Sequence, residues 1–367
     1  TFWLTFVLIY IHLSTNPAIM NPIVANRIKN ARLLHGLSLQ EVANTLGVSK
    51  QMISKYEQGF SSPTSEKLIQ LARLFKVKSD YFFRPFQVEI GQVNFRKKAS
   101  FSAKKQDALK EKIRLEMENY LWIEDILQID YSFENSIGGI EIQSAKDVVA
   151  AVLKLRNDWK IGLDPAHNLI QLLEDQEIKV VELHDVDDSF DGLATFVNDK
   201  YPVIVVNGHY TVERKRFTLL HELGHLLMNL PECDRKMEEN FCNLFAAEFL
   251  TSRAMAMYEF GPARNALYIE ELEAVQEKYG ISIQAIIYRL VDAGIIHENK
   301  KATFYRAINS NPELKRIIDQ PRFATPEKSE RFQQLVFRAL SQENISISKA
   351  SSLLNRSISE LRESTMF

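Results

Sequence analysis

The sequence predicts an α+β protein, mostly helical, on three observations. Closely spaced helix caps over residues 38–59 mark a bundle of short helices. Three strand-like runs within residues 178–206 precede a helix carrying His221-Glu222-Leu223-Gly224-His225, and from Ile269 onward the chain reads as helical. At 367 residues it is long enough for two or three domains with their own cores. Its 46% hydrophobic and 25% charged residues are those of a soluble globular protein. The formal charge of −2 is unevenly spread, since residues 20–84 hold ten Lys or Arg against four Asp or Glu. A basic segment on an otherwise acidic chain is the footprint of a nucleic-acid-binding module. Two cysteines, Cys233 and Cys242, are too few for a disulfide framework and fit a reducing, cytoplasmic setting.

Residues 1–19 are apolar for about thirteen positions and open without Met. They lack the positive start and small-residue cleavage site of a signal peptide. The run is also short of the roughly 20 apolar residues that cross a membrane. With Met20 just ahead of a DNA-reader-like segment, residues 1–19 read as non-native upstream sequence; a membrane anchor is the alternative.

Over residues 23–83 five short helices are expected. Ser38 caps a helix over 39–45, Leu46-Gly47-Val48 makes the turn, Ser49 caps a helix through Tyr56, and Gly59 stops it. A loop over 61–64 leads to a further helix over 65–75. Val42, Ala43, Leu46, Val48 and Ile53 have the spacing that lets two crossed helices share a core. In a helix-turn-helix the second helix enters the major groove. Lys50, Gln51, Ser54 and Lys55 are then the DNA-facing residues, while Ile53 and Tyr56 face inward. Gln pairs bidentately with adenine and Lys with guanine. The bland reading of the same helix is a solvated polar surface.

A short extended piece over 88–95 precedes a basic helix over 102–127. Its apolar stripe, Leu109, Ile113, Met117, Tyr120, Ile123 and Leu127, fits a connector packed on the second domain. Helices near 145–158 and 165–175 follow, then strands over 178–182, 192–197 and 202–206. The last is expected to offer an edge to an extended peptide. Ser282 caps a helix over 283–292. The tail over 345–361 echoes the capped-helix, turn, capped-helix pattern of 37–53, with a turn at Asn355. Glu360 and Glu363 stand where a DNA reader wants cations, so packing or dimerisation suits it better.

Residues four apart on a helix share a face, so His221 and His225 can meet one metal with Glu222 beside its open position. Zinc takes a third protein ligand, and the glutamate beside it serves as general base. The helix over 237–250 is the supplier: Glu239 shares a face with Asn243, Ala246 and Leu250, whose small members admit close packing. Glu238 and Glu248 remain alternatives, and any single Glu is more often simply solvated. Cys233 and Cys242 lack the spacing of a structural zinc site and read as ordinary reduced cysteines. His209 and Tyr210 are candidates for stabilising an oxyanion, though a loop His-Tyr pair more often packs or meets solvent.

The stretch RIKNARLLHGLSLQEVANTLGVSKQMISKYEQG resembles the XRE-type helix-turn-helix of phage repressors, over residues 23–83. RFTLLHELGHLLMNL, ENFCNLFAAEFL, FDGLATFV and PVIVVN are similar to the ImmA/IrrE family of zinc metallopeptidases, and NFRKKASFSAKKQDALKEKI to the connector of regulators that fuse the two. The resemblance implies an XRE-type DNA-binding domain over 20–85, a connector over 86–130, a zincin-like α+β metallopeptidase domain over 131–300 and a helical region over 301–367. It implies Zn2+ held by His221, His225 and Glu239, Glu222 as general base, and cleavage of a repressor-like protein. Cys242 stands where the family often has Ala, and Thr251-Ser252 where Met-Pro is common. The expected protein is a DNA-binding transcriptional regulator with a zinc endopeptidase domain. Its partners are a double-stranded operator, a protein substrate and a second copy in a homodimer, with no membrane. The rival is a DNA-binding regulator whose zincin-like domain senses a ligand or partner and hydrolyses nothing.

Overall fold

The computed structural model describes residues 21–84, 88–91, 102–231 and 234–365. The readings of residues 1–19 and of Cys233 lie outside the described residues. The described chain falls into two units, one of residues up to 89 with 97–122, the other of 90–96 with 123 onward.

In the first unit α1 (Pro22–Leu34), α2 (Leu39–Leu46), α3 (Lys50–Glu57) and α4 (Ser65–Leu74) surround a core of Ile28, Val42, Ala43, Ile53, Leu71 and Phe75. The expected fifth helix is a 3-10 turn over Ser79–Phe83. Local chemistry fixes the bounds. Ser38 and Glu41 form a capping box on α2, and Ser49 caps α3 by accepting from the Met52 amide at 3.2 Å. Between them Gly47 takes φ 64°, a left-handed conformation in which L side chains are strained. Arg32 forks onto Glu57 at 2.6 and 2.8 Å, tying α1 to the end of α3.

The connector helix, α5 (Ala103–Ile126), corrects the sequence reading. It was expected to pack on the second domain, yet its residues through 122 group with the first unit. Arg27 and Glu118, both buried, form an ion pair, and Leu115 packs against the first unit's core.

The second unit begins with helices α6 (Ala145–Asp158) and α7 (Leu169–Asp175), the latter starting later than expected because Asn168 caps it. A three-stranded sheet follows: β1 (Lys179–Leu183), β2 (Gly192–Val197) and β3 (Tyr201–Asn207). Its order is β1-β3-β2, with β3 parallel to β1 and antiparallel to β2. The third strand is therefore central, which overturns its expected role as a peptide-binding edge. Its hydrogen bonds are used on both sides. β1 and β2 are the two edge strands, and Ile90 bridges to Val197 at the far end of β2.

Helix α8 (Val212–Leu227) packs on β2 and β3, α9 (Arg235–Leu250) packs on α8 and α6, and α10 (Arg253–Phe260), α11 (Ile269–Tyr279), α12 (Ile283–Asp292), α13 (Glu298–Ser310) and α14 (Pro312–Ile318) continue the chain. One core joins Leu219, Leu220 and Leu223 of α8 to Phe245 and Phe249 of α9 and to Ile204 of β3. Residues 320–331 form a strap that contacts α7 and α8 before α15 (Arg331–Ser341), α16 (Ile347–Leu354) and α17 (Ile358–Glu363). Asn355, left-handed at φ 50°, makes the expected turn between the last two. Among the described residues no helix is long and apolar enough to cross a membrane.

Candidate metal centre and nucleic-acid interface

The second helix of the first unit's helix-turn-helix turns its two faces in opposite directions. Ile53 and Tyr56 are buried, at 0% and 6% exposure, whereas Lys50, Gln51 and Lys55 are exposed and Ser54 is half-buried. The Ser54 hydroxyl accepts from Gln58 Nε2 at 2.7 Å, so its acceptor is engaged within the helix.

In the second unit the metal-facing residues are set by two helices that approach closely. Thr211 caps α8 by accepting from the Arg214 amide, and Asp234 caps α9 by accepting from the Met237 amide. At their crossing, a Cβ on Gly224 would stand 3.4 Å from Cys242 Cα and 3.4 Å from Phe245, ordinary contact distances that show α9 lying directly against α8 here. Cys242 is fully buried at this contact and fills it as a small apolar residue.

That approach brings three donors together. His221 Nε2 and His225 Nε2 lie 3.0 Å apart. Glu239 puts one carboxylate oxygen 3.3 Å from the first and the other 3.9 Å from the second. Ligand atoms of these three residues all lie within 4.8 Å of one another. The far side of each imidazole is held as well. His221 Nδ1 meets Asn243 Oδ1 at 2.8 Å, and His225 Nδ1 meets Glu238 Oε1 at 3.0 Å. An Nδ1–H bonded outward leaves Nε2 with its lone pair turned to the common point. Two imidazoles and a carboxylate at this spacing match a three-ligand zinc site with bonds of about 2.0–2.2 Å.

Glu222, 4% exposed, faces β2. A Cβ on Gly192 would meet Thr218 at 2.7 Å and Glu222 Cγ at 3.2 Å, so β2 presses its first residue onto α8 at this carboxylate. Of the alternatives for the third position, Glu238 stands behind His225, and Glu248, nearly buried, pairs with Arg289. Asn243 was noted in the sequence only as a face-mate of Glu239; its contact with His221 Nδ1 was missed.

His209 and Tyr210 are placed differently from the oxyanion reading. The His184 carbonyl accepts from the His209 ring. The Tyr210 hydroxyl donates to Asp191 and to the Phe190 carbonyl, the latter at 3.0 Å. Burial, then the Asp191 carboxylate, push the phenol above its ordinary value, so it stays a donor bound to the start of β2.

A model of the helix-turn-helix matches residues 28–82, and one of the IrrE N-terminal-like domain, an M78 peptidase model, matches residues 173–291. An uncharacterized HTH-type transcriptional regulator of Methanocaldococcus jannaschii is 36% identical over 58 residues, 16% of this chain and 88% of that protein. The chain belongs to the helix-turn-helix transcriptional regulators. This regulator carries, after its XRE-type domain, an M78-type domain that contains the His221, His225 and Glu239 cluster. It is also similar to the HTH-type transcriptional regulator ImmR of Bacillus subtilis, 31% over 58 residues, 16% of this chain and 46% of ImmR. YobD of the same organism is 34% identical over 55 residues, 15% of this chain and 49% of YobD. The regulator thus spans about half the length of these two relatives.

Proposed function

We propose that this regulator binds operator DNA through its first unit and hydrolyses a peptide bond of a repressor-like protein at zinc held by His221, His225 and Glu239. The observation that carries the peptidase half is the convergence of both Nε2 atoms on the Glu239 carboxylate, with Asn243 and Glu238 behind the rings. The M78-type match over this segment supports the same chemistry. When bound, zinc supplies a Lewis acid that polarises the scissile carbonyl and makes water a stronger acid. His221 and His225 present neutral imidazoles, fixed in one tautomer by their Nδ1 partners. Glu222 takes the proton of the attacking water at its carboxylate and passes it to the leaving amine. The edge of β2 beside Glu222 pairs with the extended substrate backbone.

For the DNA half, exposed Lys50, Gln51 and Lys55 reach base edges or phosphates, with Ser54 beside them. A homodimer reads two half-sites, as this module's geometry requires of a palindromic operator.

Metal analysis and one substitution test the reading. One zinc per chain is expected, lost in His221→Ala; Glu222→Gln keeps the zinc and abolishes cleavage of the partner protein. Cleavage by Glu222→Gln at the wild-type rate would overturn the mechanism. Zinc without cleavage in the wild type would leave a regulator that senses through this domain.

A further inference from the structure

The second unit contains an open cleft of about 590 Å³, within the ~300–1,000 Å³ of small-molecule and side-chain sites. It is lined by Arg214 and Phe217 of α8, Ile281, Ala285 and Tyr288 at α12, and Ile318 at the end of α14. Its place on α8 matters. Arg214 lies seven residues before His221 and Phe217 four residues before it, so helical phase puts both on the side that carries His221 and His225. Four residues are ~6 Å along a helix axis, the span of about two residues of an extended peptide. A second path of contacts leads to the same neighbourhood. Arg214 bonds Asp191 at 2.7 Å, and the next residue, Gly192, is the one pressed against Glu222.

The polar groups in the cleft are spent on the protein itself. Glu213 accepts from Gln276 Nε2 at 3.0 Å and from the Arg322 amide at 2.8 Å. Gln284 donates to Asp319 at 2.6 Å, and the Ser282 hydroxyl caps α12. Among the described residues Gln276 Oε1 has no partner, but that atom is sealed from solvent. Arg214 is paired with Asp191 at 2.7 Å, and what remains to meet an occupant is mostly the apolar surface of Phe217, Ile281, Ala285 and Ile318, with Tyr288 half exposed at 51%.

We propose that this cleft is the specificity pocket of the peptidase and takes one large apolar side chain of the substrate, Phe, Leu, Met or Trp, within two or three residues of the scissile bond. The inference rests on the peptidase reading above and adds what that reading leaves open, the residue type that selects the bond. Charged side chains are disfavoured because entry strips their hydration while the charges lining the cleft, Arg214 and Asp319, are already engaged by Asp191 and Gln284. Apolar ones gain about 25 cal/mol per Å² of surface removed from water. Ala285 sits in the lining, partly buried near the start of α12, so a larger residue there narrows the cleft.

The test uses the full chain, loaded with zinc, and a library of peptides made by digesting whole-cell protein. Cleavage sites of the wild type are read by mass spectrometry, and peptides retained by Glu222→Gln are identified in parallel. The expected result is at least fivefold enrichment of large apolar residues at one fixed position from the cut, and the same enrichment among retained peptides. Ala285→Trp should bring it down to background with zinc content unchanged, and Tyr288→Ala should weaken it without the risk of overpacking. Cleavage with no apolar preference, or a preference untouched by both variants, overturns the pocket. Retention of apolar peptides with no cleavage by the wild type upholds the pocket and overturns the peptidase reading. Neither retention nor cleavage overturns both.

Discussion

Asn243 Oδ1 accepts from His221 Nδ1 at 2.8 Å, one helical turn beyond Glu239 on the same helix. A single face of α9 thus supplies both the carboxylate in front of the imidazole and the amide that orients it from behind. Removing such a rear partner typically costs about 10–100-fold in metal affinity. Asn243→Ala is expected to weaken zinc binding by that factor, measured by competition with a chromophoric chelator, while the far-ultraviolet circular dichroism stays that of the wild type.

Glu174 is a pH-dependent liability. It is 3% exposed and accepts from the Ser329 hydroxyl at 2.6 Å, and its burial pushes the carboxyl up to about 7 from an ordinary 4.5 despite Ser329 and Arg331. A carboxyl raised in the folded state binds its proton more tightly there than in the unfolded chain. Its contribution is therefore full below about pH 4.5 and is lost as pH rises to about 7, by up to roughly 3 kcal/mol. Glu174→Gln keeps an acceptor for Ser329 and removes the ionisation. Its melting temperature relative to wild type should rise between pH 5 and pH 8; a constant difference would show that Glu174 ionises without penalty.

Glu327 closes a buried knot. It pairs with Arg216, fully buried, and accepts from the Leu169 and Ile170 amides at 3.1 Å each. Breaking one side of a buried ion pair costs about 3–5 kcal/mol because the other charge is stranded. Glu327→Ala should lower the second unit's unfolding midpoint accordingly in denaturant titrations, and Glu327→Gln by less, since its amide oxygen still caps α7.

On the operator, Gln51→Ala and Lys55→Ala should each cost about 1–3 kcal/mol if they reach bases, read by fluorescence anisotropy at fixed salt. Ser54→Ala should cost less than either, because its hydroxyl already accepts from Gln58. Unchanged affinity in both Gln51→Ala and Lys55→Ala would remove α3 from the interface.

What could be read in advance was local. The capping box of Ser38 and Glu41, the left-handed Gly47 and the four-residue spacing of His221 and His225 each act within one or two helical turns, so sequence distance stands for spatial distance. Glu239 could be chosen for the same reason, by helical phase. Strand order could not, because it depends on pairings across tens of residues, and β3 was misread as an edge. A signal was present: residues 202–206 are apolar without alternation and all are buried, the mark of a strand covered on both faces. The connector helix was misassigned because its apolar stripe says that it packs and not against what. Arg27 and Glu118, 91 residues apart, decide that. No local rule joins Arg216 to Glu327, 111 residues away.

Arg216 also governs where this chain can be cut. Its guanidinium donates to the carbonyls of Ala166, His167, Tyr279 and Gly280 as well as to Glu327, and the ring of Phe323 lies under it at 4.3 Å. A fragment ending at residue 291, where the IrrE-like match stops, would retain His221, Glu222, His225 and Glu239. It would also enclose a cation whose only carboxylate among these partners had been left off. The shortest piece of the second unit able to fold alone must run past the strap, which makes the stretch after the recognisable domain part of its folding unit and a poor place for a tag or a protease site.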